Sequence, residues 1–308
     1  MTERQAIIDE VPSKYNRYLA VINDYITLTK PPIILLLLIT AAGGMFLAAE
    51  GLPSLMMLGV VWIGGALASA GANALNHQID RDIDVIMTRT SKRPVASQRI
   101  SPGKALSFGV ILNVIAFLVL VTWVNLLAAL LTLSATLFYV FIYTLWLKRS
   151  TPQNIVIGGA AGAIPPLVGW AAVTGGLDLP AVYLFTIVFF WTPPHFWALA
   201  LVKSEDYARA KVPMMPNIAG IESTKLQIVI YSILLLLSSI LPNVFGFAGT
   251  IYLLVSLPLG LIFLTLALAL IVFPQNRLEM HLFGYSIFYL FGIFIAFVFD
   301  KILNINVL

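Results

Sequence analysis

Long apolar runs alternate with short polar connections along this chain. The runs recur from residue 31 to residue 303, and each approaches the ~20 residues that a helix needs to cross a lipid bilayer. We predict about nine membrane-spanning helices from this pattern. Their approximate bounds are Ile33–Ala49, Leu55–Leu75, Ala105–Val121, Leu126–Leu147, Ile155–Val173, Ala181–Val202, Leu226–Leu241, Ala248–Phe273 and Leu282–Leu303.

The composition supports an all-α, polytopic membrane protein. Of the 308 residues, 60% are hydrophobic and only 10% are charged. A membrane β-barrel would show short alternating segments instead. The chain has no cysteine, which excludes disulfides, thiolate metal sites and cysteine nucleophiles. Residues 1–30 lack the apolar core of a signal peptide, so we predict a cytoplasmic N-terminal segment, 1–30, and a single transmembrane domain, 31–308.

The basic residues predict the orientation of the chain. If the N-terminus is cytoplasmic, every Lys and Arg except Lys301 falls in an inside segment, in agreement with the positive-inside rule. We therefore expect a multi-pass protein of the inner (cytoplasmic) membrane with its C-terminus outside. The inside connections after the second and sixth spans are long and carry acids. We expect the chemistry between them, at the cytoplasmic mouth of a central cavity.

The polar stretch 73–94 follows the second span and holds Asp80, Asp82 and Asp84 among several basic residues. If the preceding helix continues, Asn76, Asp80 and Asp84 share one face at spacings of four residues. Carboxylates at this spacing repel one another unless a cation lies among them. Such oxygen ligands suit magnesium, which completes its shell with waters and substrate phosphates. The alternative interpretation is a solvated loop of mixed charge.

The loop after the sixth span again joins an apolar helix to charged residues, among them Lys203 and Asp206. Facing polar helix ends around one cavity can form a metal or diphosphate site. Basic residues bind phosphate oxygens, although each is also explained as a positive-inside charge. The candidates are Arg89, Lys92, Arg93, Lys148, Arg149 and Lys203.

Two histidines need separate interpretations. His195 lies in an apolar helix after Pro193 and Pro194, and an ionisable side chain inside a span is functional by default. It could ligate iron, act as an acid or base, or bond a backbone carbonyl freed by the prolines. His77 points off the Asn76–Asp80–Asp84 stripe, and we expect it to be peripheral.

The spacing Asn76-x-x-x-Asp80-x-x-x-Asp84 after a span rich in small residues resembles the first aspartate motif of the UbiA-type intramembrane prenyltransferases. Other stretches resemble the branch of that superfamily that farnesylates haem. They are Thr29–Pro31, Asp80–Asp84, Arg89–Thr90 with Arg93–Pro94, Tyr143–Thr144 with Leu147–Arg149, Gly158–Pro166, Thr192–Ala200, and Asp206–Tyr207 with Val212–Met214.

The resemblance implies transfer of a farnesyl group from farnesyl diphosphate to a vinyl group of haem B, with addition of water, to give haem O for haem-copper oxidases. It implies that magnesium is held by Asn76, Asp80 and Asp84. Besides Asp80 and Asp84, the implied catalytic residues are Arg93, Lys148, Arg149 and Lys203, and the implied substrate-binding residues are Asn76, Arg81, Tyr143, His195, Asp206 and Tyr207. The expected partners are the bilayer and a haem A synthase or terminal oxidase assembly, without nucleic acid.

One departure from the superfamily pattern affects this interpretation. Many members carry a second aspartate pair after the sixth span, where this chain reads Lys203-Ser-Glu-Asp206-Tyr207. Either one metal suffices, or Lys203 contacts phosphate directly. A related enzyme acting on a quinone precursor remains an alternative, although the missing pair disfavours it. A transporter would need polar groups at mid-membrane depth, and the acids here lie at span ends.

Overall fold

The structure is a computed structural model that describes residues 14–49 and 51–303. Residues 1–13 of the predicted N-terminal segment 1–30 lie outside these ranges. Throughout the described ranges the regular elements are helices: α1 (Lys14–Thr29), α2 (Pro31–Ala48), α3 (Leu55–Ile79), α4 (Arg81–Ile86), α5 (Pro102–Trp123), α6 (Leu126–Leu137), a π-helix (Phe138–Leu147), α7 (Lys148–Ser150), α8 (Asn154–Ala163), α9 (Pro165–Thr174), α10 (Leu179–Val202), α11 (Ser204–Arg209), α12 (Met215–Ile218), α13 (Ile221–Val244), α14 (Thr250–Val272), a 3₁₀ turn (Pro274–Asn276) and α15 (Glu279–Leu303).

The predicted number of spans is confirmed. Within the described ranges, nine helical segments are long and apolar enough to cross a membrane. The fourth span runs continuously through α6, the π-helix and α7. The fifth span is the α8–α9 pair, which is broken before Pro165 because proline lacks the N–H that continues a helix. The short helices α4, α11 and α12 lie in the two long connections that were predicted to carry the chemistry.

The helices form a closed bundle. Helix α2 packs on both α9 and α15, α3 packs on α5, and α10 packs on α8, α13 and α15. This closure brings the first and last spans together. A closed bundle agrees with the central cavity that was expected from the sequence. The cavity itself stays a prediction.

Small residues set the distance between neighbouring helices of the bundle. A Cβ atom on Gly71 of α3 would lie 2.6 Å from the carbonyl oxygen of Gly109 on α5, so only glycine allows this approach. A Cβ on Gly169 of α9 would likewise lie 1.9 Å from the carbonyl of Ala41 on α2. Close backbone approach at small residues is the usual way for helices to pack in lipid.

The π-helix positions a second wall of the site. Its wider backbone hydrogen bonding shifts side chains relative to an α-helix, and such segments occur often at functional sites. Thr144 donates a hydrogen bond to the carbonyl of Tyr139, five residues earlier, at 2.8 Å. Tyr139 and Tyr143 stack, with ring centroids 5.6 Å apart.

Candidate functional site

Asn76, Asp80 and Asp84 form one buried polar stripe. Helix α3 ends at Ile79, yet the Asp80 amide donates to the Asn76 carbonyl at 2.9 Å, and the Asp84 amide donates to the Asp80 carbonyl at 2.8 Å. Helical spacing therefore continues across the junction, and the three side chains lie on one face. Asp80 is completely buried, with 0% of its surface exposed, and the other two are buried as well.

Asp80 is held by a lysine and an amide. Lys148 Nζ lies 2.5 Å from Asp80 Oδ2, and Asn76 Nδ2 donates to the same oxygen at 2.8 Å. The other oxygen, Oδ1, is buried without a hydrogen-bond partner in the described residues. Its nearest ion-pair contact is Arg149 Nη2, at 3.9 Å. One carboxylate oxygen of the stripe is thus left unsatisfied, which is costly unless a ligand contacts it.

Asp84 is paired with an arginine from the loop that follows α4. Arg93 Nη1 lies 2.9 and 2.8 Å from the two carboxylate oxygens of Asp84. The hydroxyl of Thr90 donates to the Asp84 carbonyl at 3.2 Å, which folds the loop back over the stripe. The contact with Asp84 uses only Nη1, so the remaining N–H groups of Arg93 can bind an anion.

Lys30 completes the stripe, although its role was not predicted. It precedes Pro31 at the α1–α2 corner with φ 52° and ψ 64°, a left-handed conformation that is strained for lysine. Its Nζ donates to Asn76 Oδ1 at 2.9 Å. Burial lowers the pKa of Lys30, and nearby Arg93 and Lys148 lower it further, against the opposing effect of Asp80 and Asp84. The signal in the sequence was a lysine directly before a proline pair at the start of a span.

Arg149 links the stripe to solvent. It contacts Asp82 through two parallel bonds of 2.7 and 2.8 Å, and it donates to the Ile79 carbonyl at 3.1 Å, which closes the end of α3. The hydrogen bond from Arg149 lowers the pKa of Asp82 to about 2, against the opposing effect of partial burial. Asp82 therefore stays ionised across the physiological pH range, and because its side chain is 61% exposed it lies outside the buried stripe.

The two long connections that follow the second and sixth spans meet, as the predicted location of the site requires. Asp206 Oδ1 accepts a hydrogen bond from the Thr88 amide at 3.4 Å, and Arg209 contacts both Asp206 and the Thr88 hydroxyl. Tyr207 is buried beside this junction. Asp206 thus joins the two loops.

Several predicted site residues contact the stripe indirectly or not at all. Tyr143 precedes Thr144, whose hydroxyl accepts from Asn76 Nδ2 at 3.2 Å. Arg81 is exposed and donates to the Gln78 carbonyl. Within the described residues, the side chain of Lys203 forms no ion pair or hydrogen bond. No hydrogen bond or ion pair among these residues connects His195 to the stripe.

His77, which was expected to be peripheral to the stripe, is a buried side chain. It is 1% exposed, and in the part of the chain that the structure describes neither ring nitrogen has a hydrogen-bond partner.

The electrostatic balance of the cluster favours a polyanion. Its basic members Lys30, Arg93, Lys148 and Arg149 outnumber its acidic members Asp80, Asp82 and Asp84. Since these cations are gathered at one face of a low-dielectric bundle, their attraction for phosphate groups is strengthened. Such an arrangement can bind a diphosphate and stabilise negative charge that develops on it.

The donor set fits a magnesium ion that is shared with a substrate. Over the described ranges, no three His, Cys, Asp or Glu side chains converge as a self-sufficient metal site. Asp80 and Asp84 offer two carboxylates, and Asp80 Oδ1 is free of hydrogen bonds. The amide oxygen of Asn76 accepts from Lys30 Nζ and retains a second lone pair. Magnesium is often held in this way, by one or two carboxylates with the remaining ligands from phosphates and waters.

Comparison with known proteins gives consistent matches. The UbiA prenyltransferase family profile matches residues 37–297. A protein from Symbiobacterium thermophilum named protoheme IX farnesyltransferase is 53% identical over 91% of this chain and 94% of its own length. A protein of the same name from Gloeobacter violaceus is 50% identical over 97% of this chain and 98% of its own length. Some other matching relatives are longer, and the chain spans about half of their length.

A solved structure shows the same fold. A UbiA homolog from Archaeoglobus fulgidus, bound to GPP and Mg2+, superposes with a TM-score of 0.66 and 17% sequence identity, covering 87% of this chain and 99% of that one. The all-helical bundle with nine candidate spans in the described ranges is therefore shared with a protein of distant sequence.

Proposed function

The chain belongs to the UbiA prenyltransferase family, and on this premise we propose that it transfers a farnesyl group from farnesyl diphosphate to a vinyl group of haem B. Water adds in the same reaction, and the products are haem O and diphosphate. The donor and acceptor follow the names of relatives that are about half identical over nearly the whole chain. The observation that carries the proposal is the buried Asn76–Asp80–Asp84 stripe among four basic side chains.

The basic side chains act on the leaving group. Lys148, Arg149 and Arg93 face the carboxylates of the stripe, where a diphosphate would be held. When the allylic carbon–oxygen bond breaks, the electron pair goes to the diphosphate, and its negative charge increases. Fixed cations that need no reorganisation stabilise that charge and lower the barrier. Lys30 donates to Asn76 and adds a further basic group to the same face.

Asn76, Asp80 and Asp84 would hold the magnesium ion. When bound there, magnesium neutralises charge on the diphosphate and so makes it a better leaving group. The proposal is supported by the unsatisfied Asp80 Oδ1 and by the UbiA homolog that was solved with GPP and Mg2+. This proposal includes the remaining predicted roles. Lys203 would contact phosphate, and the substrate would be contacted by Arg81, Tyr143, Asp206 and Tyr207.

The carbon chemistry needs shielding from bulk water. The farnesyl carbocation reacts with any available nucleophile, so the bundle must exclude solvent until the vinyl π electrons form the new carbon–carbon bond. The resulting cation beside the porphyrin ring then takes the oxygen of one water, whose proton is released. The stacked rings of Tyr139 and Tyr143 form an aromatic wall next to Thr144, which itself contacts Asn76.

The cellular setting follows from the same proposal. We place the protein in the inner membrane with its N-terminus in the cytoplasm, because of the distribution of its basic residues. Residues 31–308 would act as one transmembrane domain, with 1–30 as a cytoplasmic segment. Haem O would pass to haem-copper oxidases, directly or through a haem A synthase.

Turnover tests the proposal. Membranes containing the protein receive farnesyl diphosphate, haem B and Mg²⁺, and the extracted haems are resolved by chromatography and mass spectrometry. We expect a haem whose mass has increased by one farnesyl group and one hydroxyl group. A parallel reaction replaces haem B with an aromatic quinone precursor. Prenylation of that acceptor, without any farnesylated haem, would support the alternative enzyme and reject the haem assignment.

A further inference from the structure

His195 is rigidly held at the interface of α10 and α15. Its imidazole stacks on Trp191, with centroids 4.3 Å apart and planes at 17°, and on Phe283, at 4.5 Å and 20°. Both faces of the ring are thus covered by aromatic groups. Its Nδ1 lies 2.6 Å from the hydroxyl of Ser286. The ring can neither tilt nor rotate without losing these contacts.

Ser286 determines which nitrogen of His195 carries the proton. The Ser286 hydroxyl donates to the Phe283 carbonyl at 2.6 Å, and a hydroxyl has only one proton to donate. The short contact with His195 therefore uses the imidazole N–H at Nδ1, with the serine oxygen as acceptor. The indole of Trp191 donates to the Ser286 carbonyl at 2.7 Å and fixes the serine further. In the neutral imidazole with Nδ1 protonated, the lone pair lies on Nε2.

That lone pair has no partner within the described residues. Nε2 makes no hydrogen bond there, and it is not among the fully enclosed unpartnered atoms, unlike the ring nitrogens of His77. The carbonyls freed by Pro193 and Pro194 do not bind the ring, because Nδ1 bonds to a side chain from another helix. A histidine with one nitrogen bonded to oxygen and the other left open is the arrangement found at metal ligands.

We propose that His195 Nε2 is the axial ligand of the haem iron while haem B is the acceptor substrate. This inference rests on the proposed function. Helix α10 leads directly into α11, where Asp206 contacts Thr88 beside the stripe, so a haem bound through α10 would lie on the side of the bundle that leads to the diphosphate cluster. His195 is about 10 Å along α10 from Val202, inside the apolar bundle. One axial bond would fix the porphyrin against α10 and limit which vinyl group reaches the farnesyl donor.

Electron paramagnetic resonance of the ferrous nitrosyl complex tests the ligand directly. The purified protein is loaded with haem B without farnesyl diphosphate, reduced and treated with nitric oxide. A histidine trans to nitric oxide adds a second nitrogen splitting to the signal, and ¹⁵N-labelled histidine changes that splitting. We expect the splitting in wild type and its loss in His195→Gly. The chain has only three histidines, so His77→Gly and His281→Gly are the matched controls and should retain it.

Two further measurements separate a ligand from a packing residue. Added imidazole should restore the second nitrogen splitting in His195→Gly, as it fills the space left by the side chain. Ser286→Ala removes the acceptor of Nδ1–H, and we expect haem to bind about 10- to 100-fold more weakly with the ligand retained. If His195 only packed α10 against α15, added imidazole would not restore the splitting.

The outcomes distinguish this inference from the proposed function. If wild type binds haem and farnesylates it but shows no splitting from a second nitrogen, the ligand assignment is overturned and the enzymatic function remains. Splitting that persists in His195→Gly and disappears in a control variant also overturns it. Splitting that is specific to His195 supports the ligand, even in a preparation that produces no haem O.

Discussion

Lys148 and Asp80 lie 68 positions apart in the chain and form a buried salt bridge of 2.5 Å. The contact joins the end of the fourth span to the end of the second. Asp80 is wholly buried and the Lys148 side chain is 14% exposed, so neither charge is well hydrated. A pair of this kind can serve catalysis, stability or both, and substitution of each partner distinguishes the two.

Asp80→Asn should abolish activity and destabilise the protein. We expect turnover to fall at least about 100-fold, because the magnesium ion that neutralises charge on the diphosphate would lose a carboxylate ligand. The unpaired Lys148 should also cost about 1–3 kcal/mol of folding stability, since a buried charge is left without its partner. Product formation and the thermal unfolding midpoint in detergent measure the two effects.

The double variant Asp80→Asn/Lys148→Met separates the effect on activity from the effect on stability. It removes both charges, so we expect much of the stability to return while activity stays absent. Recovery of turnover in the double variant would show that the pair is structural only.

Arg93→Lys should weaken binding of farnesyl diphosphate with little loss of stability. Lysine can replace the single-nitrogen contact with Asp84, but it lacks the planar set of N–H donors that remain for phosphate. We expect KM for farnesyl diphosphate to rise at least about tenfold, which corresponds to ~1.4 kcal/mol. Arg277→Lys, at an exposed arginine of another connection, is the matched control and should keep the wild-type value. Equal KM values in the two variants would contradict a phosphate contact for Arg93.

Removal of divalent metal should stop turnover reversibly. Treatment with a chelator should abolish product formation, and added Mg²⁺ should restore it, because two carboxylates and an amide cannot hold the ion without substrate phosphates. Asp84→Asn should raise the Mg²⁺ concentration for half-maximal activity at least about tenfold, or ~1.4 kcal/mol. A magnesium titration of membranes at saturating farnesyl diphosphate measures it. An unchanged magnesium requirement in Asp84→Asn would remove Asp84 from the ligand set.

Gly71→Ala should separate α3 from α5. The new Cβ would lie 2.6 Å from the Gly109 carbonyl, and overpacking of this kind costs about 1–3 kcal/mol. Gly59→Ala on the same helix is the control, because no atom lies within 4 Å of its new Cβ. Alanine has a higher helix propensity than glycine, so the unfolding midpoint of Gly59→Ala should stay the same or rise. Equal midpoints for the two variants would mean that the close approach at Gly71 does not limit the packing.

The span pattern was predictable because it depends on local sequence. Runs of about 20 apolar residues identify helices by length, and nine spans were found in the described ranges. The Asn76–Asp80–Asp84 face was likewise predictable, because spacings of four residues place side chains together on any helix.

The pairings within the site were not predictable, because they join distant residues. Nothing local to Lys148 indicates Asp80 as its partner, and nothing local to Lys30 indicates its left-handed backbone or its bond to Asn76. The sequence left three alternatives for His195, and Ser286, 91 positions away, determines which ring nitrogen is open. Such contacts depend on helix packing, which hydropathy and spacing do not specify.

The measurement that tests the account most directly is farnesylation of haem B by membranes containing wild type, Asp80→Asn or Asp82→Asn at saturating Mg²⁺. Both variants remove one carboxylate from the same turn, but Asp80 is buried in the stripe and Asp82 is 61% exposed. We predict haem O from wild type and from Asp82→Asn, and none from Asp80→Asn. Equal activity in Asp80→Asn and Asp82→Asn, or no haem O from folded wild type, would contradict the account.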